Sequence, residues 1–397
     1  MVSPEPERIL GHLAAERGGP TVIVMSGLHG NEPTGVKAGR RVLDALHPTG
    51  VHCGDLIVVA GNLRALSRNV RFIDRDLNRV WTRETVSAML RDPRANRVAE
   101  AEEQRDVLRT LQAVTQAARG PIYFLDLHTS SAAGPPFVTV GDTLRNRRFA
   151  RQFPLPLILG LEEQVDGALL EYLNNFGFVT MGVEAGHHEA ESSIDRHEAV
   201  LWMALGALGM VDSGTHPEVR KSRELLAAAA RGTPQIVEVR HRHAITPADG
   251  FRMQAGFANF QAVQKGQVMA TDRRGAVTAP EDGLVLLPLY QGKGDDGFFT
   301  AREVRPIWLG VSTVLRRLRV ASTLPLLPGV SRHPSRAEVF LVDTRVARWF
   351  PLEVFHLFGF RKLRQIGDVL MVSRRRYDLS PPARLLLDPH EECEQLG

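Results

Sequence analysis

The sequence predicts an α/β fold: a three-layer α/β/α sandwich around a mixed central sheet, then a small β domain and a mixed basic tail. Three observations carry this. Through residue 210, short β-branched runs alternate with segments whose apolar residues recur at helical spacing, the pattern of a sheet with helices on both faces. From residue 235 to 300 the runs shorten and glycines separate them, which reads as a small β structure. Beyond residue 301, aromatic, proline and arginine residues mix without a clear period. The expected division is 1–215, 216–300 and 301–397.

In chain order, residues 1–20 are polar and read as a lead-in. Val22-Ile23-Val24 begins a buried strand that breaks at Gly27 into a turn carrying His29 and Glu32. Val36, Ala38, Val42, Leu43 and Leu46 follow at helical spacing. Leu56-Ile57-Val58-Val59 predicts a second strand, and a loop rich in Arg, Asn and Asp runs on to Trp81. A helix is expected from about Arg97 to Ala118, a third strand over Pro121–Leu127, and further strands at Phe137–Val140 and Leu157–Leu159. Gly167–Phe176 reads as a short helix, Phe178–Val183 as a strand ending at Glu184, and Ile194–Met210 as a helix. Pro306–Val320 reads as a basic amphipathic helix.

Bulk composition narrows the class. With 397 residues, 43% hydrophobic and 24% charged, a folded soluble chain with a sizeable core is the default. The net charge of +4 is too small for this length to argue for nucleic acid on its own, and such a partner is not expected. Residues 301–397 hold 16 Lys and Arg against 10 Asp and Glu, so the basic surplus lies in the tail. The two cysteines, Cys53 and Cys393, have no metal-like spacing and fit a reducing compartment. No secretory h-region and no membrane span is visible, so a cytoplasmic protein is expected.

The chemistry centres on three loops. His29 and Glu32 follow one strand and His128 another. In α/β sheets the crevice lies at the carboxyl ends of strands, and two His plus one carboxylate with an open position is a hydrolytic zinc set. Asp126 either orients a ligand or is a strand-end charge. Glu184 follows a further strand and can act as the base that takes a proton from water. The pair His187 and His188, with Glu189, is assigned to the rim because adjacent side chains on an extended chain point apart. The Arg71–Arg79 loop offers Arg71, Asn78 and Arg79 as donors to a developing oxyanion or a substrate carboxylate.

The order His29-Gly-Asn-Glu32, Arg71…Asp74-x-Asp76-Leu-Asn78-Arg79, Asp126-Leu-His128-Thr129 and Val183-Glu184 resembles the succinylglutamate desuccinylase/aspartoacylase family of the zinc carboxypeptidase superfamily, over roughly residues 20–300. The resemblance implies a zinc-dependent hydrolase with a zinc-carboxypeptidase-like α/β/α domain and a smaller β domain partly covering the site. It implies one Zn2+ per chain on His29, Glu32 and His128. Glu184 would activate water, Arg71 would polarise the scissile carbonyl, and Asn78 and Arg79 would hold a substrate carboxylate. The implied activity is deacylation of an N-acylated amino acid or related small amine. The alternatives are a metallocarboxypeptidase acting on peptides and a scaffold that binds an acidic partner through its tail.

One departure bears on the substrate. The family carries a further arginine about ten residues before the catalytic glutamate, which grips an acyl carboxylate. Here that stretch is Glu171-Tyr172-Leu173-Asn174-Asn175, so a dicarboxylic acyl group is disfavoured. Residues 263–288 are similar to half of a biotinyl/lipoyl-type barrel sandwich, but the turn Asp272-Arg273-Arg274-Gly275 lacks the attachment lysine and reads as a structural lid. Gly294–Phe299 is either a hairpin turn or a segment reaching over the site. In the tail, Arg316, Arg317, Arg319 and Arg374–Arg376 either meet an acidic partner or are solvated arginines of a packed accessory segment, the blander reading. Trp308, Trp349, Phe350, Phe355, Phe358 and Phe360 suggest that the tail folds onto something, a second subunit of a homo-oligomer being one option.

Overall fold

The computed structural model of the chain describes residues 7–92, 98–336, 338–347, 352–383, 385, 387 and 388. Cys393, Trp349 and Phe350 lie outside the described residues. Among those described, one mixed sheet of eleven strands runs through the molecule. Its first eight strands in chain order are β1 (Ile9–Ala14), β2 (Thr21–Ser26), β3 (Asp55–Ala60), β4 (Ile122–Ser130), β5 (Phe137–Thr139), β6 (Leu157–Leu159), β7 (Val179–His187) and β8 (Ile236–Ala244). They lie in the order β1-β3-β2-β4-β7-β5-β6-β8, and Asp296–Glu303, Gly283–Leu286 and Ala262–Val263 complete the sheet beyond β8.

β2 shows why the sheet needs two covering layers. Every residue of Thr21–Ser26 is buried, and successive side chains point to opposite faces. Val22 and Val24 pack with Val42 and Leu46 of the helix Thr34–Leu46 and with Val200 and Leu201 of the helix Glu191–Ala207. Ile23 and Met25 pack with Val107 and Leu111 of the helix Ala99–Ala117 and with Leu169 and Leu173 of the helix Leu169–Phe176. Two helical layers therefore sandwich the sheet.

The lead-in expected over residues 1–20 contains a strand: β1 pairs antiparallel with β3, Leu13 opposite Leu56. It is an edge strand with half-exposed residues, so its pattern is weak and its partner supplies the order. Two more strands run longer than their expected ends, β4 to Ser130 and β7 to His187. Further along, Val268–Asp272 and Gly275–Thr278 form a hairpin, joined by Arg252–Met253 in a separate three-stranded sheet.

The tail is more ordered than its composition suggests. Val330–Arg332, Val339–Asp343, Phe360–Ile366 and Val369–Arg374 form a four-stranded antiparallel sheet over a core of Phe340, Phe355, Phe360 and Val372. Its arginines divide. Arg317 and Arg319 are exposed, but Arg316 and Arg375 are buried among acids of the same chain. Arg316, with no exposed side-chain surface, reaches Asp142 at 2.8 Å and Asp378 at 3.3 Å. Arg375 spans Glu162 at 2.9 Å and Glu163 at 2.6 Å. The solvated-arginine reading fails for these two: unpaired charges cannot be buried cheaply, and their partners lie far off in sequence.

Candidate functional site

Three neighbouring parallel strands deliver the candidate residues to one end of the sheet. Ser26 of β2 pairs with Leu127 of β4, and His128 pairs with Glu184 of β7. His29 and Glu32 sit on the turn just past β2. That turn is held tightly: Gly30 donates to the Arg71 carbonyl at 3.1 Å, and a Cβ at Gly30 would lie 2.0 Å from the Ala65 carbonyl carbon, so only glycine fits.

His29, Glu32 and His128 offer ligand atoms within 4.8 Å of one another and could hold a metal ion. His29 Nδ1 lies 2.8 Å from Glu32 Oε1, and His128 Nδ1 lies 3.0 Å from Glu32 Oε2. The far nitrogen of each ring faces a carboxylate: His29 Nε2 is 3.0 Å from Asp76, and His128 Nε2 is 3.1 Å from Asp126. Such partners hold the proton on the far nitrogen and leave the near one free to bind a metal. Two imidazole nitrogens and a carboxylate, each ring fixed from behind, form a donor set that fits zinc. Asp126 thus touches a candidate ligand, one of the two options its position allowed. Asp76, inside the motif but given no role by sequence reasoning, does the same for His29.

The electrostatics follow from burial and close charges. Burial alone would raise Glu32, but His29 and His128 outweigh it and hold the carboxyl well below its usual range. Burial likewise opposes the charge on His128, yet Asp126 and Glu32 lift it well above an ordinary histidine. Burial pushes the Glu184 carboxyl up to about 8, and its Oε2 has no hydrogen-bond partner among the described residues.

The Arg71–Arg79 loop is shaped by one buried acid. The Glu100 carboxylate, at 0% exposure, accepts the backbone N–H groups of Ile73 at 2.7 Å, Asp74 at 3.0 Å and Arg75 at 3.2 Å. It also accepts Asn62 Nδ2 at 3.1 Å. Asp76 caps the short 3-10 turn Leu77–Arg79 by accepting Asn78 N–H at 2.8 Å. Arg71 donates to Asp76 at 3.0 Å and lies 3.6 Å from Glu32. Asn78 Oδ1 accepts the Leu169 N–H at 2.9 Å. Arg79 is paired with Asp296 at 2.6 Å, and Asp296 is also bound by Arg242.

All seven candidate residues line one cavity. His188 lines it too, with Nδ1 2.8 Å from the Thr129 hydroxyl. One wall is the segment Leu287–Phe299, fastened by Tyr290 N–H to Ser131 at 3.0 Å and Lys293 to the Phe72 carbonyl at 3.0 Å. The Gly294–Phe299 stretch therefore contributes to the cavity. Behind the site, His197 donates from Nε2 to the His128 carbonyl at 3.0 Å and accepts from Thr34 at 3.3 Å. Burial lowers His197 to about 4, so it stays neutral. Nothing local in the sequence marks His197 or Glu100.

Residues 18–200 match the family model described as the succinylglutamate desuccinylase/aspartoacylase catalytic domain. No curated protein matches the sequence. Among solved structures, the chain is similar to a succinylglutamate desuccinylase/aspartoacylase from Rhodobacter sphaeroides, with a TM-score of 0.54 at 18% identity over 74% of this chain and 87% of the other. It is similar to the product-bound ectoine utilization protein EutE (DoeB) from Ruegeria pomeroyi, with a TM-score of 0.53 at 18% identity over 76% and 98% of the two chains. At these identities the likeness is one of fold. Among the described residues no helix is long and apolar enough to cross a membrane.

Proposed function

We propose that this chain, whose residues 18–200 match the succinylglutamate desuccinylase/aspartoacylase catalytic domain model, belongs to that family and is a zinc-dependent deacylase that hydrolyses the amide bond of an N-acylated amino acid or related small amine. The observation that carries this reading is the convergence of His29, Glu32 and His128 with Glu184 beside His128 in the neighbouring strand.

His29, Glu32 and His128 would hold the zinc, which as a Lewis acid polarises the carbonyl and acidifies water. Glu184 accepts the proton from the attacking water and passes it to the leaving amine nitrogen as the C–N bond breaks, giving a carboxylate and a free amine. Its unpartnered Oε2 is the atom assigned to that transfer. Arg71 faces the negative charge that develops on the carbonyl oxygen. Asn78 and Arg79 hold a substrate carboxylate. For Arg79 this means competing with Asp296, its present partner at 2.6 Å.

The test is metal content combined with a screen of N-acyl amino acids. We expect about one zinc per chain and release of the amine from at least one N-acyl compound. A protein that binds no zinc and cleaves no amide overturns the reading, and release of C-terminal residues from peptides of several lengths replaces it with a carboxypeptidase.

A further inference from the structure

The cavity does not end at the proposed metal site. Along β7, Gly182 precedes Glu184 by two residues, and it pairs with Thr139 of β5. A Cβ at Gly182 would lie 2.5 Å from the Thr139 hydroxyl, so its absence keeps the floor low. Beyond Thr139 come Val140, Gly141 and Asp142, and the Asp142 N–H donates to Glu162 Oε1 at 3.2 Å. The Glu162 carboxylate therefore sits on backbone three residues past the end of β5. Glu162 and Glu171 both line the cavity there, with Leu161, Val165 and Leu170 between and around them.

Two features of this end favour a cationic group. Glu162 has a side chain only 6% exposed, and its Oε2 has no hydrogen-bond partner among the described residues. An anionic atom buried without a donor is costly, and a ligand N–H would satisfy it. The second feature is the distribution of positive charge. The only arginines among the described cavity-lining residues are Arg71 and Arg79, and each is paired, with Asp76 and Asp296 respectively. Arg375 and Arg361 do neutralise part of Glu162 and Glu171, but neither lines the cavity. Among the described cavity-lining residues, a substrate carboxylate at this end would meet two acids and no arginine.

We propose that the cavity binds a substrate carrying an ammonium or guanidinium group, held between Glu162 and Glu171, with an aliphatic stem along Leu161, Val165 and Leu170. The proposal rests on the deacylase reading above and names its substrate class. It also gives physical content to the missing arginine near Asn174: Glu171, from the same helix, puts the opposite charge into the cavity. Burial pushes Glu162 up to about 7 against the pull of Arg375, with Glu163 and Glu171 adding to the rise. A bound cation would reverse that rise.

The experiment compares paired substrates on the zinc-loaded protein: Nα-acetyl-lysine against Nα-acetyl-norleucine and Nα-acetyl-glutamate, and 6-aminohexanoyl-alanine against hexanoyl-alanine. We expect kcat/KM for the cationic member of at least one pair to exceed that of its neutral partner by about tenfold or more. Glu162→Gln should shrink that ratio, chiefly through KM. Glu171→Gln is the second variant should the first not fold. A wild-type protein that cleaves the neutral or acidic member best overturns the cation site and leaves the deacylase reading standing. A protein that binds no zinc and cleaves none of the amides overturns both.

Discussion

Asp76 lies 3.0 Å from the Nε2 of His29, and this one contact decides which ring nitrogen faces Glu32. Burial alone would raise the Asp76 carboxyl, but His29 and Arg71 outweigh it and keep it well below its usual range. It is therefore a fixed anion behind the ring. Asp76→Ala should weaken zinc binding by about 10–100-fold. Competition with a chelator of known affinity checks it. Unchanged affinity would mean that Asp76 serves only the loop and Arg71.

Glu100 tests whether the Arg71–Arg79 loop needs its buried anchor. Glu100→Ala leaves the N–H groups of Ile73, Asp74 and Arg75 without their acceptor. A buried donor left unmade costs about 1–3 kcal/mol; these three are only part-buried, so denaturant unfolding should show a loss within that range. Turnover should fall as well, since Arg71 rides on the same loop. Full stability in Glu100→Ala would show that water or a shifted carbonyl replaces the carboxylate.

These two acids mark where the sequence is legible and where it is not. β2, β4 and β7 are readable because strands buried on both faces must be continuous apolar runs, and His29, His128 and Glu184 follow from lying at their ends. Glu100 is not readable: in the first turn of its helix it is the same letter as a solvated glutamate nearby. Arg316 fails for a related reason, since its partner Asp142 is 174 residues away and no local pattern signals the pair. Asp76 stood inside the motif, but its role depends on a ring orientation that only the folded loop creates.

The tail meets the rest of the chain at His356, whose two nitrogens each lie 3.1 Å from an acid, Glu163 and Glu238. Burial opposes its charge, but the two carboxylates prevail and raise it to about 9. A raised pKa stabilises the folded state fully below about 6.5, the ordinary histidine value, and the contribution fades as pH rises through about 9. Denaturant unfolding from pH 6 to 10 should thus show wild type losing more stability than His356→Gln does, by on the order of 3 kcal/mol. Parallel pH curves for the two proteins would exclude His356 as the source.

Glu184→Gln separates metal binding from proton transfer. The amide keeps the size of the carboxylate on β7 beside His128, and the change leaves the contact of His29 to Asp76 and that of His128 to Asp126 in place. Zinc content should therefore stay near one per chain. The variant cannot accept the water's proton, so kcat should fall by about 10²–10⁴-fold. Because substrate contacts are kept, KM should change far less than kcat, the pattern of an interaction made only in the transition state. Single-turnover release of amine from an N-acyl substrate measures this directly. Hydrolysis undiminished in the zinc-loaded variant would take the base role from Glu184.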